Sequence, residues 1–326
     1  MIKTGEKNLI TDVAGLKIGH AHDEGIKTGV SVVVPDTPAR CAVDVRGGGP
    51  GTRETDALGD SSLVENIHAI VLSGGSVYGL AAADAVTARL GAQGIGYKVG
   101  PAPIPRSPIV PSAILFDNAN GGNKEWGETP PFARLGAEAL ANLTDESFDQ
   151  GRIGAGYGAT AGLYTGGLGS CSEICENYVV GAMIAANPVG SPYMPNSQCF
   201  WAWPYEQKDE FGGVRPTPDY VFSAPQDTKL AFLKAAGAAT VIGVVAVDAP
   251  LSQKQLRRLA IMAQDGIAMA VQPSHTPLDG DTIFALSTAE ETDDVSPLIL
   301  ADLGAAAARC VARALSLGVY KARNDQ

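Results

Sequence analysis

The sequence lacks any uncharged apolar run long enough to cross a bilayer, and residues 1–20 contain no continuous apolar segment of the kind found in secretion signals. It also lacks a basic run, and its formal net charge at pH 7 is −11. Nucleic-acid binding draws most of its affinity from lysine and arginine side chains that neutralise phosphates. We therefore expect a cytoplasmic protein that binds neither membranes nor nucleic acids.

Histidine and cysteine are scarce, with 4 and 5 residues in the whole chain. An odd number of scattered cysteines does not make a disulfide framework. Cys171 and Cys175 are close in sequence, but no histidine lies nearby to complete a metal site. We expect these cysteines to be small buried residues, and we predict neither a metal nor an organic cofactor.

The chain does contain enough apolar residues for a large core, since 45% of its 326 residues are apolar and 18% are charged. Branched apolar runs that end at glycine or proline alternate with alanine-rich segments, which indicates an α/β fold, and we favour one domain over residues 1–326. The pattern predicts strands at 29–35, 41–49, 67–75, 281–288, before Asn187 and from Thr240, and helices at 78–94, after Ser252 and at 297–317. Residues 191–220 have no period, which is typical of a functional or mobile segment.

Two glycine-rich stretches invite functional interpretations. Gly154, Gly156 and Ala159 fit the G-x-G-x-x-A pattern of dinucleotide sites, but the run continues as TGGLGS, which is too rich in glycine for the helix that such sites need. In LSGGSVYGL, Ser76 lies between a strand and a helix but does not match the G-x-S-x-G nucleophile elbow. Its glycines can bring backbone N–H groups close to a substrate, and Tyr78 is either a polar group of that site or a packed aromatic residue.

The stretch HTPLDGDTIFAL places Asp279 and Asp281 two residues apart, just before a predicted strand. If the extended conformation already applies there, both side chains point the same way, and each carboxylate would influence the ionisation of the other. The alternative is a solvated turn, since Asp-Gly is a common turn dipeptide. His275 has no serine or cysteine beside it in a recognisable catalytic arrangement and is interpreted as structural or exposed.

Several stretches together resemble one family: DVRGGGPGTRETD, AIVLSGGSVYGLAAADAV, GAGYGATAG followed by GGLGS, ANPVG and HTPLDGDTIFA. Their order is similar to that of the P1 peptidase family, which includes the L-aminopeptidase/D-esterase, the β-aminopeptidases and the 6-aminohexanoate-oligomer (nylon oligomer) hydrolase. The resemblance runs from about residue 8 to residue 320 and is closest to the nylon-oligomer branch. It implies a four-layer αββα sandwich of the N-terminal-nucleophile-hydrolase type.

The resemblance also implies a site and a processing event. Members of the family cut themselves before a serine or threonine, which here falls at Thr240, so that residues 1–239 become the larger subunit and residues 240–326 the smaller one. Asn187 matches the family asparagine near the nucleophile, Asp279 and Asp281 match the acidic pair of the nylon-oligomer branch, and Tyr78 matches a tyrosine of the same site. A homo-oligomer, a tetramer of processed units, is the expected assembly.

The chemistry implied for Thr240 is physically coherent. A threonine hydroxyl needs a base to become a nucleophile, and an N-terminal threonine carries one in its own α-amine, whose ordinary pKa is about 7.7–8.0. Asn187 and backbone N–H groups would stabilise the oxyanion, and the acidic pair would orient the amine and attract a substrate ammonium. The expected activity is hydrolysis of small amides, short peptides or ω-amino-acid oligomers through a Thr240 acyl-enzyme.

Two positions depart from the family pattern. Ala239 stands where many relatives have asparagine before the nucleophile, and Leu163 stands where the nylon-oligomer branch has a lysine thought to belong to the site. The alternative function is therefore a non-catalytic or unprocessed family member that binds small molecules. A nucleotide-dependent oxidoreductase is the third hypothesis and rests only on the glycine-rich run described above.

Overall fold

The computed structural model of the chain describes residues 2–59, 61–231, 239–290 and 295–324. Its helices and strands follow in chain order, apart from short 3-10 turns. The strands are β1 (Leu16–Asp23), β2 (Thr28–Pro35), β3 (Ala39–Val45), β4 (Thr52–Arg53), β5 (Asn66–Ile67), β6 (Ile70–Ser73), β7 (Ser112–Ile114), β8 (Thr160–Ala161), β9 (Tyr164–Thr165), β10 (Gly167–Cys175), β11 (Tyr178–Asn187), β12 (Thr240–Val247) and β13 (Thr282–Ser287). The α-helices are α1 (Ala81–Ala92), α2 (Phe132–Ala141), α3 (Gln253–Ala270) and α4 (Pro297–Asn324).

The strands form two large sheets and one small hairpin. The five-stranded sheet has the order β1-β2-β6-β7-β4, the six-stranded sheet has the order β10-β11-β12-β13-β3-β5, and β8 pairs with β9. Helices α3 and α4 pack on the six-stranded sheet, while α1 and α2 pack on the five-stranded one. A third apolar core lies between the two sheets. The fold is therefore the predicted four-layer αββα sandwich.

Strand β12 shows why the middle layers are so apolar. Alternate residues of a strand face opposite sides of the sheet. Val241 and Val245 accordingly enter the core beneath α3 and α4, whereas Ile242 and Val244 enter the core between the sheets. Because both faces are covered, the whole strand is buried, and its sequence is a nearly continuous apolar run.

Most predicted elements are confirmed. Ser252 and Gln255 form a capping box at the start of α3. The apolar residues at three-to-four-residue spacing along that helix are fully buried: Leu256, Leu259, Ala260, Ala263 and Ile267. Helix α4 continues to Asn324, beyond the predicted end at residue 317. The end of the glycine-rich run, which is too rich in glycine for a helix, is part of strand β10, where close contact with α4 leaves no room for side chains at Gly167 and Gly169.

Residues 191–220, predicted to be functional or mobile, are anchored to the core. Phe200 and Phe211 pack in the core beneath α4. The fully buried guanidinium of Arg313 in α4 donates two hydrogen bonds to the Glu210 carboxylate, at 2.7 and 3.0 Å. The ring of Trp203 lies under the guanidinium of Arg215, with 5.8 Å between the ring centroid and Arg215 Cζ. The segment shows no hydrophobic periodicity because it packs through individual side chains and not through one face of a helix or strand.

None of the helices in the described part of the chain is long and apolar enough to cross a membrane.

Candidate active site

The candidate site forms where several strand ends meet at one edge of the six-stranded sheet. Strand β11 is antiparallel to β12, so the last residue of β11, Asn187, lies opposite the first residue of β12, Thr240. Strand β13 is parallel to β12, so the residues just before β13, which include Asp279 and Asp281, reach the same edge. Strand β3 is antiparallel to β13, and its end therefore brings the glycines that follow it to this edge as well.

The peptide bond between Ala239 and Thr240 is buried at the centre of this edge. The Ala239 N–H donates to the carbonyl oxygen of Leu278 at 3.1 Å, and the Ala239 carbonyl oxygen accepts from the Gly280 N–H at 2.9 Å. The Thr240 hydroxyl also donates to the Ala239 carbonyl oxygen, at 2.5 Å. Ala239 and Thr240 are 0% and 1% exposed. The hydroxyl thus lies against the peptide group that the sequence predicts to be cut.

The carboxylates of Asp279 and Asp281 lie near this peptide and accept hydrogen bonds from different groups. Asp279 Oδ1 accepts from the Val189 N–H at 3.0 Å, and Asp279 Oδ2 accepts from the N–H and hydroxyl of Thr276 at 2.8 and 2.7 Å. Asp281 Oδ1 accepts from the Val241 N–H, next to Thr240, at 2.8 Å. Both aspartates are 1% exposed, so the alternative interpretation as a solvated turn is wrong.

The charge of Asp281 affects the ionisation of Asp279. Burial is the main cause that raises the pKa of Asp279, and the negative charge of Asp281 raises it further. Hydrogen bonds from Thr276 and Val189 oppose the shift. Asp279 therefore holds its proton more firmly than an ordinary aspartate.

The Asn187 side chain is held from three sides. Its Oδ1 accepts from the Thr160 N–H at 2.9 Å and from Lys229 Nζ at 3.0 Å, and its Nδ2 donates to the Phe116 carbonyl oxygen at 3.0 Å. Thr160 lies in β8, and Phe116 follows β7 of the other sheet. These bonds fix which end of the carboxamide faces which partner. In this structure its N–H group is bonded to Phe116 and not to the Ala239 carbonyl.

Lys229 was missed by the sequence analysis. Its Nζ donates to both the backbone oxygen and Oδ1 of Asn187, each at 3.0 Å. Burial lowers the pKa of Lys229 to about 7, while the negative charge of Asp279 opposes the shift. Lys229 begins a short 3-10 helix 42 positions along the chain from Asn187, and neither periodicity nor a motif marks it in the sequence.

His275 was interpreted as structural or exposed and is also part of the cluster. Its ring Nδ1 is 2.7 Å from Asp281 Oδ2, and its backbone N–H donates to the same oxygen at 3.2 Å. The residue has a positive φ of 52°, a conformation that is uncommon outside glycine. The signal in the sequence was its position six residues before Asp281, inside the HTPLDGD motif.

Tyr78 and Leu163 lie apart from these contacts. The Tyr78 side chain is 50% exposed and packs edge-on against Trp126, with ring centroids 5.6 Å apart. Among the described residues, those hydrogen-bonded to Thr240, Asn187 and the two aspartates do not include Tyr78, and its role in the site stays a prediction. Leu163 is 48% exposed at the tip of the β8–β9 hairpin. The ammonium that touches Asn187 comes from Lys229 and not from that position.

Comparison with known protein families matches residues 8–325 to peptidase family S58. The chain belongs to this family. This confirms the resemblance to the P1 peptidases. An uncharacterized aminopeptidase of Mycobacterium leprae is 38% identical over 97% of this chain and 91% of its own length. A 6-aminohexanoate-oligomer endohydrolase of Kocuria sp. is 31% identical over 88% of this chain and 77% of its own. Membership of S58 supports an amide-bond hydrolase.

Solved structures of similar shape confirm the fold of this S58 member. A β-aminopeptidase from Burkholderia sp. superposes with a TM-score of 0.72 at 21% identity, covering 98% of this chain and 88% of the other. An L-aminopeptidase D-Ala-esterase/amidase from Ochrobactrum anthropi gives a TM-score of 0.71 at 21% identity, covering 97% and 86%. The second is described as a variant of the Ntn-hydrolase fold, so the predicted fold class is confirmed.

Proposed function

We propose that this chain is a self-processing N-terminal-nucleophile amidohydrolase whose nucleophile is Thr240. The observation that carries the proposal is the buried contact of the Thr240 hydroxyl with the Ala239 carbonyl oxygen, on which the Gly280 N–H also converges. A hydroxyl placed against its own preceding carbonyl is close to the carbon that it must attack. Membership of a peptidase family supports the same reaction class.

The self-cleavage step is an N-to-O acyl shift followed by hydrolysis. Thr240 Oγ attacks the Ala239 carbonyl carbon, the hydroxyl proton passes to the Thr240 nitrogen as the C–N bond breaks, and an ester joins Ala239 to the Thr240 side chain. Negative charge develops on the Ala239 oxygen, where the Gly280 N–H at 2.9 Å is in the range of an oxyanion-hole donor. Water then hydrolyses the ester, which frees an Ala239 carboxylate and restores the Thr240 hydroxyl beside the α-amine that the acyl shift released.

The freed amine is what makes the processed protein an amidase. As an amide, the Thr240 nitrogen cannot accept a proton; as an amine, it accepts the Oγ proton when Thr240 attacks a substrate carbonyl. The substrate amine leaves, and water releases the acyl group in a second half-reaction. Asp281 holds the adjacent Val241 N–H and thereby orients the start of β12. A tetramer of processed units and a cytoplasmic location belong to the same proposal.

The experiment that tests this function is release of amine from a panel of small amides, dipeptides and 6-aminohexanoate dimers. Processed wild-type protein is expected to hydrolyse members of the panel at a rate that depends on Thr240. A ligand that raises the melting temperature of an intact chain without being hydrolysed would favour the alternative, a binding protein.

Within this function we propose that Lys229 is a positioning residue for Asn187. Replacing Lys229 by methionine removes two hydrogen bonds to Asn187. Hydrogen bonds that involve a charged group contribute about 1.5–3 kcal/mol, so we expect kcat to fall about tenfold or more with little change in KM. Lys208→Met, at an exposed lysine, is the matched control and is expected to leave kcat unchanged.

A second measurement on Lys229 uses stability and works on an uncut chain that carries Thr240→Ala. The pKa of Lys229 is lowered from 10.5 to about 7, so between these values the unfolded state binds the proton that the native state has lost. The free energy of unfolding therefore gains a contribution that rises with pH from about 7 towards 10. Denaturant unfolding should show this rise in the parent but not after Lys229→Met. Parallel pH curves for the two proteins would contradict the assigned pKa.

A further inference from the structure

The acidic pair was expected to attract a substrate ammonium, and its geometry argues against that role. Each of the four carboxylate oxygens of Asp279 and Asp281 accepts at least one hydrogen bond from the protein. Both side chains are almost completely removed from solvent. A ligand ammonium would have to displace buried N–H and O–H donors, and each donor left unpaired away from water is unfavourable. An ammonium site must therefore be sought elsewhere.

A cavity of about 630 Å³ lies beside strand β9 and has the size of an ordinary small-molecule site. The cavity is lined by Tyr164, residues 195–198, Gln226 and Asp227, together with Ser223 and Ala224. Among the described residues that line this cavity, Asp227 alone carries a charge at neutral pH, and the others are apolar or neutral polar side chains. The described lining of the cavity therefore carries a single negative charge.

Among the described residues, the Asp227 carboxylate is fixed by hydrogen bonds to only one of its two oxygens. Its Oδ2 accepts from the Tyr164 hydroxyl at 2.6 Å and from the Ser191 hydroxyl at 2.8 Å. Its backbone oxygen accepts from the Leu163 N–H at 3.1 Å. Within the part of the chain that the structure describes, no donor is hydrogen-bonded to Oδ1 of Asp227. A carboxylate fixed through one oxygen presents the other in a defined direction.

The cavity and the candidate active site share two structural elements. Asp227 is two residues from Lys229, whose Nζ is bonded to Asn187. The β8–β9 hairpin contacts both places, because Thr160 donates to Asn187 and Tyr164 donates to Asp227. The cavity therefore lies beside elements that also hold Asn187, the residue opposite Thr240.

We propose that this cavity binds the ammonium-bearing end of the substrate and that Asp227 Oδ1 accepts a hydrogen bond from that ammonium. The substrate class is then an amide that carries a free primary amine, and the Tyr164 hydroxyl and the side chain of Gln226 surround the same end. This inference rests on the proposed function, since it gives that active site a selectivity for amine-bearing amides.

The test is a pair of calorimetric titrations on the full chain carrying Thr240→Ala. The probes are 6-aminohexanamide and hexanamide, which differ only in the terminal amine. We expect 6-aminohexanamide to bind at least about tenfold more tightly, because only its ammonium can donate a charged hydrogen bond to Asp227. Asp227→Asn keeps an oxygen for Tyr164 and Ser191 but loses the charge, and it should remove this preference. Asp219→Asn, at an exposed aspartate that does not line the cavity, should retain it.

A second variant guards against misfolding of the first. Gln226→Lys leaves Asp227 in place and adds a positive charge to the cavity wall, so it should weaken binding of the aminated probe and leave hexanamide unaffected. Equal affinities for the two probes, binding of neither, or an amine preference that survives Asp227→Asn would overturn the proposal. Binding to an uncleavable chain does not depend on catalysis. Failure of the proposed function would instead appear as an uncut wild type that hydrolyses no amide.

Discussion

The purified wild-type chain is expected to run as two fragments on a denaturing gel, with the smaller fragment beginning at Thr240, and Thr240→Ala is expected to stay uncut and inactive. The physical reason is that the alanine side chain has no oxygen to attack the Ala239 carbonyl, which the Thr240 hydroxyl contacts at 2.5 Å. Hydrolysis should fall by several orders of magnitude, because the nucleophile and the α-amine base are lost together. Intact mass spectrometry measures both the cleavage and its position.

Two further substitutions sharpen this experiment. Thr240→Ser keeps a hydroxyl at the same position and should still be cut, whereas Thr217→Ala removes a hydroxyl from an exposed threonine and should change nothing. The proposed mechanism is wrong if Thr240→Ala is still cut between residues 239 and 240. A wild type that stays intact and inactive would contradict the proposed function and would favour the binding-protein alternative.

Gly280→Ala should slow self-cleavage by about a hundredfold or more. A Cβ at residue 280 would lie 2.8 Å from the Thr240 hydroxyl oxygen and 2.7 Å from the Gly49 carbonyl oxygen, closer than side-chain carbons come to other atoms. To relieve these contacts, the Gly280 N–H must move away from the Ala239 carbonyl oxygen, which it now contacts at 2.9 Å. Loss of one oxyanion donor costs about 10²–10³ in rate. Pulse-chase translation followed by gel electrophoresis measures the rate at which fragments appear.

Gly49, whose carbonyl oxygen a Cβ at residue 280 would approach, provides a matched control. A Cβ at Gly49 would meet its nearest atom, the Asp279 carbonyl oxygen, at 3.7 Å, which is an ordinary van der Waals distance. Gly49→Ala should therefore be cut at close to the wild-type rate. If both variants are cut equally fast, and both melt near the wild-type temperature, then the Gly280 N–H has no part in cleavage.

The candidate site could be predicted from the sequence only where a motif marked it. Asn187, Thr240 and the aspartate pair stand in recognisable stretches, and the structure brings them to one edge. Lys229 lies in a segment without periodicity, and only tertiary contact gives it a partner. Asp227 is equally unmarked, because an isolated aspartate in an irregular segment is most often a solvated residue.

The sequence by itself determined which segments are strands and helices, where most of them end, and that the chain resembles the P1 peptidases. The spacing of apolar residues reflects which face of each segment is buried, and turn residues mark where it ends. Secondary structure can therefore be predicted from the local sequence. Only the tertiary structure decided which strands are neighbours and in which direction they run. The antiparallel pairing of β11 with β12 and the parallel pairing of β12 with β13 place Asn187, Thr240 and Asp281 together. The pKa values of Asp279 and Lys229 follow from that placement, since burial and neighbouring charge depend on groups distant in sequence.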